Sequence, residues 1–293
     1  MTRFHHPASL FADRPPFRPG VGLALGGGFA RAFAQLGVLS VFQEQHIPLA
    51  CIAGSSVGSA LGAAYAGGAP LGKIIAACRE IHFRDFAGWH ASRLGLADNK
   101  RMSSMIDRFF GVRLFEELPT PLAIVATDLN NGEPVVFRQG LLAEAIRASC
   151  AFPGLFAPVQ LGTRYLADGS LVAPVPTRAA RELGASIVVG VSIPLHDGKS
   201  GSPDNIFQVV SRTVSAAQKN QSESCERFAD IILYPEVNSL SWDSFDRIDV
   251  AIEAGAHAAS GALPEIRRLL SAQKSNVSEF GKQGELLLAE ALQ

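Results

Sequence analysis

No run of lysine or arginine stands out in this sequence, and charge of neither sign dominates: 26 Lys and Arg against 27 Asp and Glu leave a formal net charge of -1. Binding a nucleic-acid backbone needs a concentrated positive footprint, so a nucleic-acid partner is excluded. Cysteine is scarce as well. Cys51, Cys78, Cys150 and Cys225 stand far apart, with no CxxC spacing and no Cys/His pairing of zinc type. They read as reduced, small apolar residues in a reducing, cytoplasmic setting, and no metal site is expected. The amino terminus lacks the continuous apolar core of a signal peptide. Residues 49–72 carry no charge and are long enough to cross a bilayer. Glycines, serines and Pro70 interrupt them, however, so a buried strand, turn and helix is expected instead of a transmembrane helix.

What is present is a strand and helix rhythm. Residues 1–18, rich in Pro, Arg and His, have no period and read as a tail. Val21-Gly22-Leu23-Ala24-Leu25 is a short apolar run ending in Gly26-Gly27-Gly28. A helix is predicted over 30–45, with Phe33, Leu36, Val38, Leu39 and Phe42 on its apolar face. Cys51-Ile52-Ala53 is a second strand, followed by a small-residue helix over 57–66. The repeat predicts a parallel sheet covered by helices. Later strands are expected at 122–127, 134–137, 187–192 and 231–233, and helices at 141–148, 206–228 and 248–270. An exposed loop is expected over 195–203. The chain reads as one α/β domain over 19–271, with an extra helix or tail over 272–293.

The strongest chemical signal is Gly54-Ser55-Ser56-Val57-Gly58, a G-x-S-x-G set between strand and helix. Such an elbow forces its serine into a strained backbone, and side chains two positions to either side would collide. It leaves the Ser56 hydroxyl at a helix amino terminus, where the dipole favours developing negative charge. A plain tight βα turn with an inert serine is the alternative. Gly26-Gly27-Gly28 ends the first strand as the elbow ends the second. A glycine turn of this kind cradles phosphate in other settings, but neither G-x-x-x-x-G-K-[ST] nor G-x-G-x-x-G is present. Its bare N–H groups beside a nucleophile suit an oxyanion hole. Asp168-Gly169-Ser170 closes the run Arg164-Tyr165-Leu166-Ala167, which places a carboxylate at a strand end. Alone, that Asp-Gly is also a common turn signal.

Together these residues resemble the patatin-like phospholipases, bacterial members in particular. The resemblance runs from about Val21 to Leu270. Its landmarks are Leu23-Ala24-Leu25-Gly26-Gly27-Gly28 with Arg31, Gly37-Val38-Leu39, Gly54-Ser55-Ser56-Val57-Gly58 and Ala126-Thr127-Asp128-Leu129. They continue through Ile146-Arg147-Ala148-Ser149, Phe152-Pro153-Gly154-Leu155-Phe156, Asp168-Gly169-Ser170 and Pro174-Val175-Pro176. The resemblance implies a three-layer α/β/α sandwich with a mostly parallel central sheet. It also implies hydrolysis of acyl esters, phospholipids or lysophospholipids, by a Ser–Asp dyad with no cofactor. Ser56 maps to the nucleophile, Asp168 to the base, and Gly27, Gly28 and Phe29, with Val57, to the oxyanion hole. Gly26, Arg31, Gly54, Gly58 and Gly169 are motif support.

Three positions depart from the family pattern. With Arg31 as anchor, G-x-G-x-[RK]-G falls on Gly27 to Ala32, so Phe29 and Ala32 stand where glycine is usual. Ser170 replaces the third residue of Asp-Gly-Gly/Ala. The Phe29 N–H serves as a donor if its φ stays negative. One lost donor costs on the order of 3–4 kcal/mol of transition-state stabilisation. Arg31 either ties the loop to neighbouring carbonyls or meets substrate phosphate. His257 is the one histidine placed to complete a triad, the rival to the dyad. An acyltransferase or thioesterase with the same dyad, and a degenerate lipid-binding module, are the other rivals. Phe83, Phe86 and Trp89 fall in a loop-like stretch that suits a lid or a peripheral contact with the inner membrane face.

Overall fold

A computed structural model describes residues 18–110, 112–193, 202–203 and 206–291. The core is an eight-stranded sheet. Its strands are β1 (Arg18–Leu25), β2 (Leu49–Ser55), β5 (Leu122–Asp128), β6 (Pro134–Phe137), β7 (Val159–Leu161), β8 (Arg164–Ala167), β9 (Ala185–Val191) and β10 (Ile231–Leu233). The order is β10-β9-β1-β2-β5-β8-β7, with β6 also on β5. From β10 through β5 every pairing is parallel, while β6, β8 and β7 add antiparallel pairs at one side. A hairpin of β3 (Gly88–Ser92) and β4 (Gly95–Asp98) stands apart from it. The helices are α1 (Ala34–Glu44), α2 (Val57–Ala66), α3 (Leu71–Glu80), α4 (Phe83–Phe86), α5 (Lys100–Phe110), α6 (Leu142–Ser149), α7 (Thr177–Glu182), α8 (Ile206–Glu226) and α9 (Ile248–Ala291).

Alternation along the strands makes the three layers. Successive side chains of a strand point to opposite faces. Leu23 and Leu25 of β1, Ile52 of β2, Leu122 and Ile124 of β5, and Val189 and Val191 of β9 share one core with α1, α2 and α9. Their neighbours Ala24, Cys51, Ala53, Ala123, Val125 and Val188 form a thinner core with Ala179 and Ala180 of α7. Large residues on one face and small ones on the other let a short helix cover the second side closely. On the thick side α1 and α9 meet backbone to backbone. A Cβ at Gly37 would lie 1.9 Å from the Ile252 carbonyl oxygen, and one at Gly255 1.7 Å from that of Ala34.

Several expectations are corrected. The helix predicted over 30–45 is a 3₁₀ turn at Phe29–Phe33 followed by α1, because the chain must first turn out of the positive-φ pair Gly28 and Phe29. The loop-like stretch holding Phe83, Phe86 and Trp89 is the one-turn helix α4 and the hairpin strand β3. The positions of those three side chains lie outside the described residues. The last helix does not stop at Leu270 but runs to Ala291, through a segment rich in Glu, Lys, Gln, Leu and Ala, which favour helix. β1 opens at Arg18, inside the stretch read as tail. The loop expected over 195–203 lies outside the described residues except at 202–203. Residues 49–72 divide into β2, the elbow, α2 and the start of α3, and among the described residues no helix is long and apolar enough to cross a membrane.

Candidate active site

Three chain segments meet at the carboxyl edge of the parallel strands: the glycine turn after β1, the elbow after β2, and the Asp168 turn after β8. β8 runs antiparallel to β5, pairing Ala167 with Thr127. It comes in from the carboxyl edge and pairs only with the last two residues of β5, Leu166 with Asp128 and Ala167 with Thr127, so the residue after it stays beside the strand ends from which the two turns leave.

The elbow has the strain that the glycine spacing predicts. Ser56 caps α2 at φ 53 and ψ -130, a region sparsely populated by residues with a side chain, costing about 1–3 kcal/mol. Its neighbours leave no room for anything larger. A Cβ at Gly54 would lie 2.5 Å from Ser59 Cα, and one at Gly58 would lie 2.3 Å from the Leu25 carbonyl oxygen. The Ser56 carbonyl accepts from both the N–H (2.8 Å) and the hydroxyl (2.6 Å) of Ser59. The Ser56 N–H donates to Ser149 Oγ at 2.9 Å, and Ser149 Oγ donates to the Val125 carbonyl at 2.6 Å. The end of α6 thus ties the elbow to β5. Ser55 and Ser59 are fully enclosed, whereas Ser56 keeps 8% of its surface exposed.

Ser56 Oγ donates to Asp168 Oδ2 at 2.6 Å. The other carboxylate oxygen, Oδ1, accepts from the Ser170 N–H at 2.9 Å and the Ser170 hydroxyl at 2.6 Å. Thr127 Oγ1 donates to the Asp168 carbonyl at 2.7 Å, fixing the turn to β5. Asp168 is buried, and burial pushes its carboxyl up to about 6. Hydrogen bonds from the Ser170 side chain, Ser56 and the Ser170 N–H work against that rise. At neutral pH the carboxylate is therefore ionised and only weakly acidic in its conjugate form, a state suited to accepting a proton. His257 lies exposed on α9, while the Ser56 hydroxyl is already engaged with Asp168.

Gly27 packs between Ser56 and Ser170, where an added Cβ would lie 3.1 Å from Ser56 Cβ and 3.2 Å from Ser170 Cβ. Gln35 Nε2 donates to the Gly26 carbonyl at 2.6 Å and holds the turn from α1. Among the described residues no acceptor takes the N–H of Gly27, Gly28 or Val57. Phe29 has φ 52, not the negative φ expected of it, and the N–H groups of Gly27, Gly28 and Val57 are the other candidate donors. Its ring stacks edge to face on Phe152 (centroids 5.1 Å apart) and Trp242 (5.5 Å). The Ala30 N–H donates to the Trp242 carbonyl at 3.0 Å. Arg31 is buried at 1% exposure.

Sequence reasoning gave no role to four contributors: Ser149 and Thr127, which it named only as landmarks of the resemblance, and Gln35 and Trp242. Ser149 and Gln35 carried a signal, since each is a polar residue on the apolar side of a short helix. The four cysteines are free, and burial pushes Cys51 and Cys78 up to about 12. No group of three or more His, Cys, Asp or Glu residues among the described ones could hold a metal ion.

Fold and site together define an α/β protein that presents a strained serine on a strand–turn–helix elbow against a buried, hydrogen-bonded aspartate. Residues 23–181, more than half of the chain, match the model of the Patatin family, described as patatin-like phospholipase. The chain belongs to the patatin-like phospholipase family, a family named for lipid hydrolysis. An uncharacterized NTE family protein of Mycobacterium bovis is 34% identical over 190 residues, covering 60% of this chain and 49% of that protein. A second from the same organism is 31% identical over 291 residues, covering 88% of this chain and 50% of its own length. The chain therefore spans about half the length of these mycobacterial relatives. The crystal structure of VipD from Legionella pneumophila shares the fold, with a TM-score of 0.50 at 14% identity over 85% of this chain and 67% of that one.

Proposed function

We propose that the chain is a serine acyl hydrolase of lipid esters, with Ser56 as nucleophile and Asp168 as its only base. The observation that carries this reading is the 2.6 Å hydrogen bond from Ser56 Oγ to Asp168 Oδ2, made by a strained serine to an enclosed carboxylate. As Oγ attacks the ester carbonyl carbon, its proton passes to Oδ2. The developing oxyanion is met by the N–H groups of Gly27, Gly28 and Val57. Collapse of the tetrahedral species expels the alcohol or lysolipid, which takes the proton from Asp168 and leaves an acyl-Ser56. Water then attacks that ester, Asp168 accepts its proton and returns it to Ser56 Oγ as the acid departs, which restores the dyad.

The test is labelling with a fluorophosphonate probe and turnover of a panel of phospholipids, lysophospholipids and simple esters. Ser56 should carry the probe, and Ser56→Ala should carry none. Labelling at Ser55 or Ser59, or no turnover of any ester, overturns the reading. An acceptor alcohol that captures the acyl group in place of water would assign an acyltransferase with the same dyad.

A peripheral lipid contact accompanies this reading, and the hairpin supports it. Leu94 and Leu96 are 63% and 49% exposed on a hairpin whose strand β4 joins the segment following Phe152 through mutual hydrogen bonds (Ala97 N–H to Leu155, Ala157 N–H to Ala97). Replacing both leucines with serine should weaken vesicle binding while leaving hydrolysis of a short soluble ester unchanged. Equal loss on both would assign the hairpin to packing.

A further inference from the structure

Any residue at position 170 offers its backbone N–H to an Asp168 carboxylate that caps the turn. The serine hydroxyl adds a second donor, which the glycine or alanine of the family pattern at this position lacks. In this chain Ser170 Oγ donates to Oδ1 at 2.6 Å, alongside its own N–H at 2.9 Å. With Oδ1 doubly engaged, the carboxylate cannot rotate without breaking two bonds, and Oδ2 is left facing Ser56. Ser170 is itself held. It is 3% exposed, its Cβ lies against the bare Cα of Gly27, and its carbonyl accepts from Gln218 Nε2 of α8 at 2.8 Å.

We propose that Ser170 is a positioning residue that orients the Asp168 carboxylate toward Ser56 and holds it in the ionised form. This inference rests on the dyad reading above. A hydrogen bond to a charged acceptor is stronger than one to its neutral form, so the hydroxyl favours the carboxylate over the carboxylic acid. It therefore offsets part of the burial that raises the carboxyl, and its contribution is the largest of those that lower it. Among the described residues, the groups facing Asp168 from neighbouring elements include Ser56 at the start of α2, Thr127 of β5, Ser170 and, as the titratable one, the Cys150 thiol after α6, which burial and then the Asp168 charge push far up. Cys150 stays protonated throughout the range in which Asp168 titrates.

The experiment follows the Asp168 carboxyl carbon by NMR against pH in the full chain, with Asp168→Asn to assign the signal, beside the pH profile of soluble-ester hydrolysis. In Ser170→Ala the carboxyl midpoint and the acid limb of the profile should both move up by about one pH unit, equivalent to about tenfold less ionised base below the midpoint. Activity at pH 8.5, where the base is ionised in both, should fall by only a few-fold, through lost orientation. Ser170→Gly should shift as far as Ser170→Ala, and Ser170→Thr, which keeps the hydroxyl, should restore the limb. A carboxyl midpoint unmoved in both Ser170→Ala and Ser170→Gly overturns the proposal. If the wild-type chain hydrolyses no ester and takes no probe, the dyad reading fails, while the carboxyl titration still decides what Ser170 does to Asp168.

Discussion

The elbow after β2 and the glycine turn after β1 sit side by side and resolve backbone strain in opposite ways. At the elbow the strained residue is the serine itself, and the glycines on either side yield space to backbone atoms 2.3–2.5 Å from where a Cβ would be. In the glycine turn the strained residue is Phe29, at φ 52, where glycine is usual in the family. There the offset comes from outside the turn, through ring contacts with Phe152 and Trp242. Edge-to-face aromatic pairs contribute about 0.5–1.5 kcal/mol each beyond their burial, enough to balance a left-handed backbone cost of about 1–2 kcal/mol. Local glycine makes a rigid turn anywhere. A clasped phenylalanine makes one only when a segment more than 200 residues away is in place.

The largest effect should come from the groups the elbow presents. Ser56→Ala and Asp168→Asn should each lower ester hydrolysis by about a thousandfold or more, and His257→Ala should leave it near normal. The acid limb of the wild-type profile should fall near pH 6, because burial lifts Asp168 to about 6. That is close to the imidazole range, so the substitutions separate dyad from triad where the profile does not. A dead His257→Ala beside an active Asp168→Asn would reverse the assignment.

Next in size are the elbow glycines. Gly58→Ala places a methyl against the Leu25 and Gly26 carbonyls and should cost about 3 kcal/mol or more of stability, read by chemical denaturation. Little change would show that the elbow relaxes freely, and the contrast with the clasped turn would dissolve.

Asp168→Asn should also stabilise the fold, by on the order of 2–3 kcal/mol at pH 8. A folded-state value raised from 3.8 to about 6 gives a contribution present below about pH 4 and lost as the pH rises through about 6. The asparagine does not ionise, so its advantage should appear above pH 6 and vanish near pH 4. A gain that is the same at both pH values would assign it to packing instead.

The smallest effect sharpens the comparison most. Phe29→Gly removes the strain and the ring together, whereas Phe29→Ala removes the ring and keeps the strain. The glycine variant should be the more stable of the two by about 1 kcal/mol, with turnover of bulky esters unchanged or higher. An alanine variant as stable as the glycine one would mean that the turn is not strained at position 29.

Much of this was legible in the chain because local rules carry it. The alternation of β1, β2 and β9, the glycine spacing around Ser56 and the strand end before Asp168 are all short-range signals. What stayed hidden depends on partners far apart in sequence. Ser149 stands in a landmark of the resemblance, but its role stays hidden until α6 sets it between Ser56 and Val125. Nothing near Trp242 announces that its carbonyl and ring will meet the turn after β1. The hairpin of β3 and β4 lacked the Asn-Gly or Asp-Gly turn that usually marks one, so that stretch read as loop.

The bond from Ser56 to Asp168 joins residues 112 apart, and the bond from Ser56 to Ser149 joins residues 93 apart. A chain leaving the ribosome therefore carries its elbow serine for more than a hundred residues before Asp168 exists. Contacts of such separation close late in folding. Nascent and misfolded chains should consequently be chemically silent, because a serine without its carboxylate is a poor nucleophile. Reactivity toward lipid esters would then be granted only to molecules that have finished assembling β5, α6 and β8. Probe labelling during refolding should track the last cooperative phase and not the first collapse.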